Sequence, residues 1–486
     1  MLFFFALLIL ASVFSTKISE RIGIPVLIAF LAVGIIVGSD VLGLFYFSNA
    51  VLTKQIADIL LIFILFDGGF RTSRDELNLV AKPAITLATI GVIITALALG
   101  TAIHFIMHYD FTTSMMIASI ISSTDAAAVF LITRQNPLKK KLAATLNIES
   151  AANDPMAILL TIAFVESLAG KSSTPLQFIG ELAWQFSGGI FVGFVLSYIS
   201  RFLFDHLKSE NRGYYYVLII GVILLTYGAA DLIKANGIIA VFFMGYWLGN
   251  SSFIAKRGVS NFMEGISTFG NMALFLMLGL LASPRNFAAV WKEGLLIVLL
   301  MIFIARPIAV ILSTLPFRYS FKERTFLSWG GIKGAVPIVL ATYPAAYGLS
   351  SGNSVFNIIF FAVIISCLLQ GSTLGFFAQK LKFTVPKRPS SPFSVELHSV
   401  RKSKLDMFEF QVYDNAYCIG KKLMELSLDK DILITSITRN GEMVPPKGNV
   451  ALKADDILFI LAPVSSGEEL FSYLKNGPKQ TATEEL

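Results

Sequence analysis

The chain has 486 residues, of which 55% are hydrophobic and only 15% charged, and its mean hydropathy is +0.71. Soluble domains carry about a quarter charged residues, so this composition excludes a water-soluble protein and predicts a polytopic one embedded in membrane lipid. The net charge of +7 does not imply a nucleic-acid partner, because Lys and Arg sit in short loops between apolar segments, where they orient the chain. Two cysteines, Cys367 in an apolar segment and Cys418 in the polar tail, give neither a disulfide framework nor a thiolate metal site.

Leu2 to Ser15 lacks the basic start of a signal peptide and reads as a first, short span. Apolar runs of about 20 residues then predict thirteen spans: 1–17, 22–39, 50–70, 81–107, 112–133, 142–168, 176–204, 213–231, 237–252, 265–283, 287–316, 323–347 and 353–380. Alternate loops differ sharply in basic residues, 17 against 4, the poorer set holding only Lys171, Lys234, Arg285 and Lys292. The richer set is expected in the cytoplasm, and an odd span count places the N-terminus outside and the C-terminus inside.

The expected fold is therefore an all-α membrane domain over 1–382, followed by a small α+β domain. Between them lies a linker over 383–403, where Pro386-Lys-Arg-Pro-Ser-Ser-Pro392 is stiff and cannot form a helix. Within 404–474, Phe408–Val412, Ile432–Thr438 and Asp456–Leu461 read as strands and Gly420–Leu426 as a short helix. Arg439-Asn-Gly441 reads as a hairpin turn leading to Met443-Val444. Residues 475–486 are expected to be disordered.

Three spans carry polar residues where lipid-facing helices have none. The sixth contains Asn147-Ile-Glu-Ser-Ala-Ala-Asn-Asp-Pro155, and helical spacing puts Glu149, Ser150, Asn153 and Asp154 on one face. A carboxylate at that depth costs at least a few kcal/mol, so such residues line ion or proton paths. The fifth contains Ser122-Ser-Thr-Asp-Ala126 and the twelfth Gly330-Gly-Ile-Lys-Gly-Ala-Val-Pro337. Both are candidates for interrupted helices. Asp125 would neutralise exposed helix N-termini and Lys333 exposed carbonyl ends. Their separation by seven spans fits an inverted repeat, whose paired broken helices mark a transporter's binding site.

Asp67, in Leu65-Phe-Asp-Gly-Gly69, supplies an oxygen at the mouth of a cation site or helps to end its helix. Arg306, before Pro307 in the eleventh span, needs a carboxylate partner. Glu149 is the natural candidate for Arg306 or for Lys333, which leaves Asp154 free to cycle. A carboxylate that holds either a proton or a hard monovalent cation, but not both, couples the two by competition. Asp154, Ser150 and a carbonyl near Thr124 provide the oxygens such a cation requires. Asn153 beside Asp154 is uncharged, so one carboxylate faces the ion and one proton exchanges for one K+ or Na+, without net charge movement.

Blander readings stand beside this one. Ser150 or Thr124 alone can simply join helices. A gated cation channel with a sensing tail needs a carbonyl-rich filter, and no filter sequence appears. A membrane enzyme needs a nucleophile with a base, and no histidine accompanies Ser150 and Glu149.

Thr124-Asp125, Glu149-Ser150-x-x-Asn153-Asp154-Pro155 and Gly331-Ile-Lys-Gly-Ala-Val-Pro337 together resemble the monovalent cation/proton antiporter-1 family. The similarity covers about residues 1–380 and leans to the bacterial K+(Na+)/H+ branch related to cell volume regulation protein A. It implies thirteen spans with a dimerisation domain and a six-helix core, working as a homodimer by an elevator-like movement in the bacterial cytoplasmic membrane. It further implies that Asp154 binds the cation and the proton, that Ser150 and Thr124 are ligands, and that the chain serves pH and volume homeostasis. Asp67 stands where sodium-selective relatives often have Glu, and Lys333 where the wider family has Arg, so K+ is favoured over Na+.

In the tail, Ala416, Gly420–Leu426, Ile432–Arg439, Gly441, Pro446–Gly448 and Asp455–Leu458 are similar to a TrkA-C domain. No GxGxxG follows a strand, so the NAD-binding half is absent. The resemblance implies a dimeric sensor of a small ligand such as a cyclic dinucleotide.

Overall fold

Capping residues and apolar runs set the helices in chain order. The computed structural model describes residues 2–22, 25–45, 49–125, 137–170, 174–385, 405–413, 416–463 and 466–478. The chain divides into two compact units, one of residues 1–207, 211–252 and 256–386, the other of residues 387–486 with 208–210 and 253–255.

The first unit begins with α1 (Leu2–Ile22), α2 (Val26–Val37) and α3 (Ala50–Arg71), the last capped by Asn49, which accepts from Leu52 N at 3.0 Å. Ser73 caps α4 (Arg74–Met107), and Asp110 caps α5 (Phe111–Ile120) by accepting from Thr112 N and Thr113 N. Then come α6 (Lys140–Leu168), α7 (Pro175–Leu207), α8 (Gly213–Leu232) and α9 (Gly237–Gly249), the last capped by Asn236. They are followed by α10 (Lys256–Leu281), α11 (Pro284–Thr314) and α12 (Phe321–Trp329), which opens with a Ser320–Glu323 capping box. Short α13 (Ala335–Leu340) and α14 (Tyr343–Ala346) precede α15 (Gly352–Lys380). Single π turns interrupt α4 at Leu87–Gly91, α11 at Met301–Ala305 and α15 at Cys367–Gly371.

Two helices start earlier than hydropathy predicts. α4 begins at Arg74 and α10 at Lys256 because their first turns are polar: Ser73 caps α4, and Asp75 and Glu76 favour its N-terminal dipole. Among the described residues, seven helices have the length and hydropathy of a membrane crossing, with five shorter apolar ones beside them. The count of thirteen spans is thus not readable from helix length. α3 carries Lys54, Asp58, Asp67 and Arg71, the twelfth span is broken into pieces, and half of the fifth lies outside the described residues.

α9 packs between α3 and α7, α10 against α2 and α3, and α6 against α4 and α5. The α3–α9 seam depends on small residues: a Cβ at Gly245 would strike the Phe66 carbonyl, and one at Gly69 the Phe242 carbonyl. Beyond α15, Phe383–Val385 is not linker. Lys139 N donates to Phe383 O at 2.9 Å and Val385 N to Pro137 O at 2.7 Å, an antiparallel bridge around Leu138 and Thr384. The proline-rich run itself lies outside the described residues.

The second unit is a four-stranded antiparallel sheet, β1 (Leu405–Gln411), β2 (Leu433–Arg439), β3 (Glu442–Val444) and β4 (Ile457–Pro463), in the order β1-β4-β2-β3. Asn440 (φ 50°) and Gly441 (φ 82°) turn β2 into β3, the backbone that favours Asn-Gly in two-residue hairpins. Arg439 donates from Nε and Nη2 to the two oxygens of buried Asp456, at 2.8 and 2.7 Å. The expected helix over 420–426 shrinks to one 3₁₀ turn, Leu423–Glu425. Its amides are taken across the chain, Gly420 N by Leu452 O, Leu423 N by Val450 O and Met424 N by Gly448 O. A helix absent from the sequence reading, α16 (Gly467–Asn476), closes the core with Leu470 and Leu474. It extends past the expected start of the tail, whose last residues, 479–486, lie outside the described residues.

Candidate functional site

Two non-helical segments meet inside the membrane unit. After α5 the backbone is unwound from Ser122 to Asp125, and between α12 and α13 it is non-helical over Gly331–Gly334, with Ile332 N turned onto Gly330 O at 2.9 Å. Asp125 N donates to Ile332 O at 2.8 Å, so the segments cross in direct contact. Lys333, fully buried, donates from Nζ to Ser122 O at 3.1 Å and Ser123 O at 2.8 Å. These carbonyls end the α5 turn, where helical partial negative charge collects. A Cβ at Gly334 would fall on the Asp125 carboxylate, which therefore lies against the backbone just ahead of α13. A Cβ at Gly331 would stand 2.6 Å from Arg306 Nε.

α6 runs beside this crossing with Glu149, Ser150, Asn153 and Asp154 all buried. Asn153 grips Thr124 with both ends of its amide: Nδ2 donates to Thr124 Oγ1 at 2.6 Å, and Oδ1 accepts from Thr124 N at 3.3 Å. Thr124 Oγ1 also lies 2.9 Å from Ser150 Oγ. Glu149 meets Arg306 at 2.5 Å (Oε1 to Nη1), and Arg306 Nη2 reaches Leu327 O near the end of α12 at 3.4 Å. Arg306 follows directly on the π turn of α11.

Asp154 lies one turn farther along α6. Among the described residues its buried Oδ1 has no hydrogen-bond partner, while Ser123 stands alongside and Asp125 and Lys333 are its charged neighbours. The structure thus brings together Thr124, Asp125, Glu149, Ser150, Asn153, Asp154, Arg306 and Lys333. It does not add Asp67, which accepts from Arg71 Nε at 2.9 Å, while Arg71 also meets Glu264 of α10 at 3.1 Å. Asp67 thus has its partners on α3 and, through Ser267, on α10.

Three polar residues that the sequence reading passed over belong to this region. Ser123 adds a hydroxyl beside Asp154. On α15, Gln370 Nε2 donates to Trp329 O at 2.9 Å, and Ser366 Oγ donates to Gln370 Oε1 at 2.6 Å. A lone amide inside an apolar span was the available signal. Farther along the twelfth span, Tyr343 donates to Asp58 of α3 at 2.6 Å, and Lys54 pairs with the same carboxylate at 2.7 Å.

Chemically, the arrangement is a buried carboxylate with an unfilled oxygen, three hydroxyls, and unwound carbonyls held in place by a lysine. Oxygen-only sets of this kind suit hard cations, and a carboxylate in low dielectric is stable only when it gains either a proton or a cation.

Comparison with known proteins agrees in extent. The sodium/hydrogen exchanger transmembrane family matches residues 7–380 and the TrkA-C domain residues 407–475. The chain is 35% identical over 480 residues to the K(+)/H(+) antiporter NhaP2 of Shewanella sp. (strain ANA-3), covering 98% of this chain and 83% of the relative. It is 32% identical over 470 residues to the K(+)/H(+) antiporter NhaP of Alkalimonas amylolytica, with 96% and 82% covered. The solved structure of the sodium proton antiporter MjNhaP1 from Methanocaldococcus jannaschii at pH 8 aligns with a TM-score of 0.69 and 26% identity, over 78% of this chain and 98% of that one. With the family model spanning residues 7–380 and relatives matching nearly end to end, the chain belongs to the sodium/hydrogen exchanger family and carries a TrkA-C domain at its C-terminus.

Proposed function

We propose that the chain is a secondary active antiporter that exchanges a monovalent cation, K+ in preference to Na+, for H+ across a membrane. The observation that carries this reading is Asp154: a buried carboxylate with an open oxygen, set against the crossing of the segment after α5 and the segment between α12 and α13. Asp154 binds the cation and the proton in turn, with Ser150 and Thr124 as further ligands. Asn153 holds Thr124 in register without adding charge. Glu149 and Arg306 cancel one another, and Lys333 and Asp125 balance the facing helix ends. One exchanging carboxylate then makes the cycle electroneutral. The preference for K+ is supported by the relatives matching 98% and 96% of this chain that bear the name K(+)/H(+) antiporter.

The chain acts as a homodimer in the bacterial cytoplasmic membrane, with its N-terminus outside and its C-terminal domain in the cytoplasm. The membrane domain reaches Val385, and the TrkA-C domain regulates it on binding a small ligand, for which a cyclic dinucleotide is the first candidate. No catalytic chemistry and no resident cofactor are required. The test is dissipation of a pH gradient in proteoliposomes with K+, Na+, Li+ and Rb+ compared. Wild type should respond, K+ most strongly and with little dependence on membrane potential, and Asp154→Asn should lose the response. Exchange at a wild-type rate in Asp154→Asn would remove the assignment.

A further inference from the structure

The end of α12 is buried in the membrane unit, so its last carbonyls have no helical donors and need others. Gly330 N takes Phe326 O at 2.9 Å, Arg306 Nη2 reaches Leu327 O at 3.4 Å, and Gln370 Nε2 takes Trp329 O at 2.9 Å. Gln370 is fully buried on the π turn of α15. The Ser366 hydroxyl donates to Gln370 Oε1 at 2.6 Å, which fixes the amide with its NH₂ toward Trp329. Trp329 Nε1 adds a second tie to α15 by donating to Thr373 Oγ1 at 2.9 Å.

We propose that Gln370 is a positioning residue of the cation site, acting through Trp329 on the Gly330–Gly334 crossing; this rests on the antiport reading above. Trp329 is the last helical residue before that crossing. Two glycines follow it, so no side chain anchors the start of the non-helical segment. At the far end, Lys333 clamps the Ser122 and Ser123 carbonyls, and Thr124 comes next. The segment is held at Trp329 by Gln370 on the backbone carbonyl and by Thr373 on the indole, and at Ile332 by Asp125 N. Releasing the first hold lets Lys333 shift, and with it the hydroxyls of Ser123 and Thr124, although no cation ligand has been removed. Cation affinity, rather than folding alone, then depends on a residue that does not touch the ion.

The test compares Gln370→Leu, Gln370→Glu and Ser366→Ala with wild type, as full chains in proteoliposomes, by titrating K+ and Na+ against a pH gradient. Gln370→Leu keeps the bulk and removes the donor. It should raise the half-saturating cation concentration about tenfold, the size expected for one buried hydrogen bond, with the maximal rate changed less than about twofold. Gln370→Glu carries its own control. Its protonated acid can still donate to Trp329 O and its carboxylate cannot. The ratio of its half-saturation to that of wild type should therefore lie near one at low pH and rise with pH, which a packing role would not produce. Should Gln370→Leu not fold, Gln370→Glu and Ser366→Ala decide the matter, the latter with a smaller rise at every pH. Unchanged half-saturation, or a loss confined to thermal stability or maximal rate, overturns the inference. Wild type and Asp154→Asn run alongside: failure there overturns the antiport reading, whereas normal behaviour there with unchanged Gln370 variants overturns this inference alone.

Discussion

Glu149 and Arg306 face each other at 2.5 Å with both side chains almost fully buried. A buried pair adds little net stability over an apolar pair, but removing one partner strands a charge. Arg306→Ala should therefore destabilise the purified protein by about 3–5 kcal/mol, read as a lower melting temperature in detergent. Adding Glu149→Gln should recover part of the loss, and a double variant no better than the single one would show that the two charges do not answer each other. The chemistry-bearing residues of this site were legible in the sequence because charge and amide groups stand out in apolar runs. Their pairings were not. Glu149 was equally reachable from Arg306 or Lys333 on spacing alone, and only the packed helices give Arg306 to Glu149 and Lys333 to the Ser122 and Ser123 carbonyls. Asn153 likewise read as an uncharged neighbour, whereas both ends of its amide hold Thr124.

At the scale of elements, the break in the twelfth span was legible because Gly330, Gly331, Gly334 and Pro337 weaken helical backbone where they cluster, whereas the end of α5 carries no Gly or Pro and stood out only by its polar run Ser122–Asp125. How the breaks meet was not, since the contact between Asp125 and Ile332 joins residues far apart in sequence. That contact leaves no room for a side chain at Gly334, where a Cβ would land on the Asp125 carboxylate. Gly334→Ala should therefore cut cation-driven dissipation of a pH gradient by at least about tenfold, because a misplaced site charge is costly. Gly68→Ala is the control: a Cβ there meets nothing within 4 Å, and exchange should stay at the wild-type level. Equal activity in both variants would show that the crossing tolerates displacement of Asp125. The π turns of α4, α11 and α15 have no counterpart in the sequence reading, although one immediately precedes Arg306 and another carries Gln370. The short helix expected over 420–426 failed for a related reason. Its local propensity competes with amide bonds to Gly448, Val450 and Leu452, which are tertiary.

For the whole molecule, the boundary between the units tests the same distinction. Phe383–Val385 binds back onto Pro137–Lys139, so the membrane unit needs these residues. A chain ending at Val385 should keep its exchange activity and its melting temperature. One ending at Lys382 should melt lower, each lost buried backbone bond counting about 1 kcal/mol; identical melting of the two would make the bridge irrelevant. Hydropathy by itself determined that the chain lives in a membrane, roughly where its helices run, and which few polar residues the interior must accommodate. These follow from the cost of polar groups in hydrocarbon, which acts locally and leaves its mark residue by residue. Which carbonyl each buried donor satisfies, that Asp67 pairs with Arg71, and that α15 supports the end of α12 were decided only by the tertiary structure. Those outcomes depend on which segments distant in sequence come within about 3 Å of each other, and no local pattern records that.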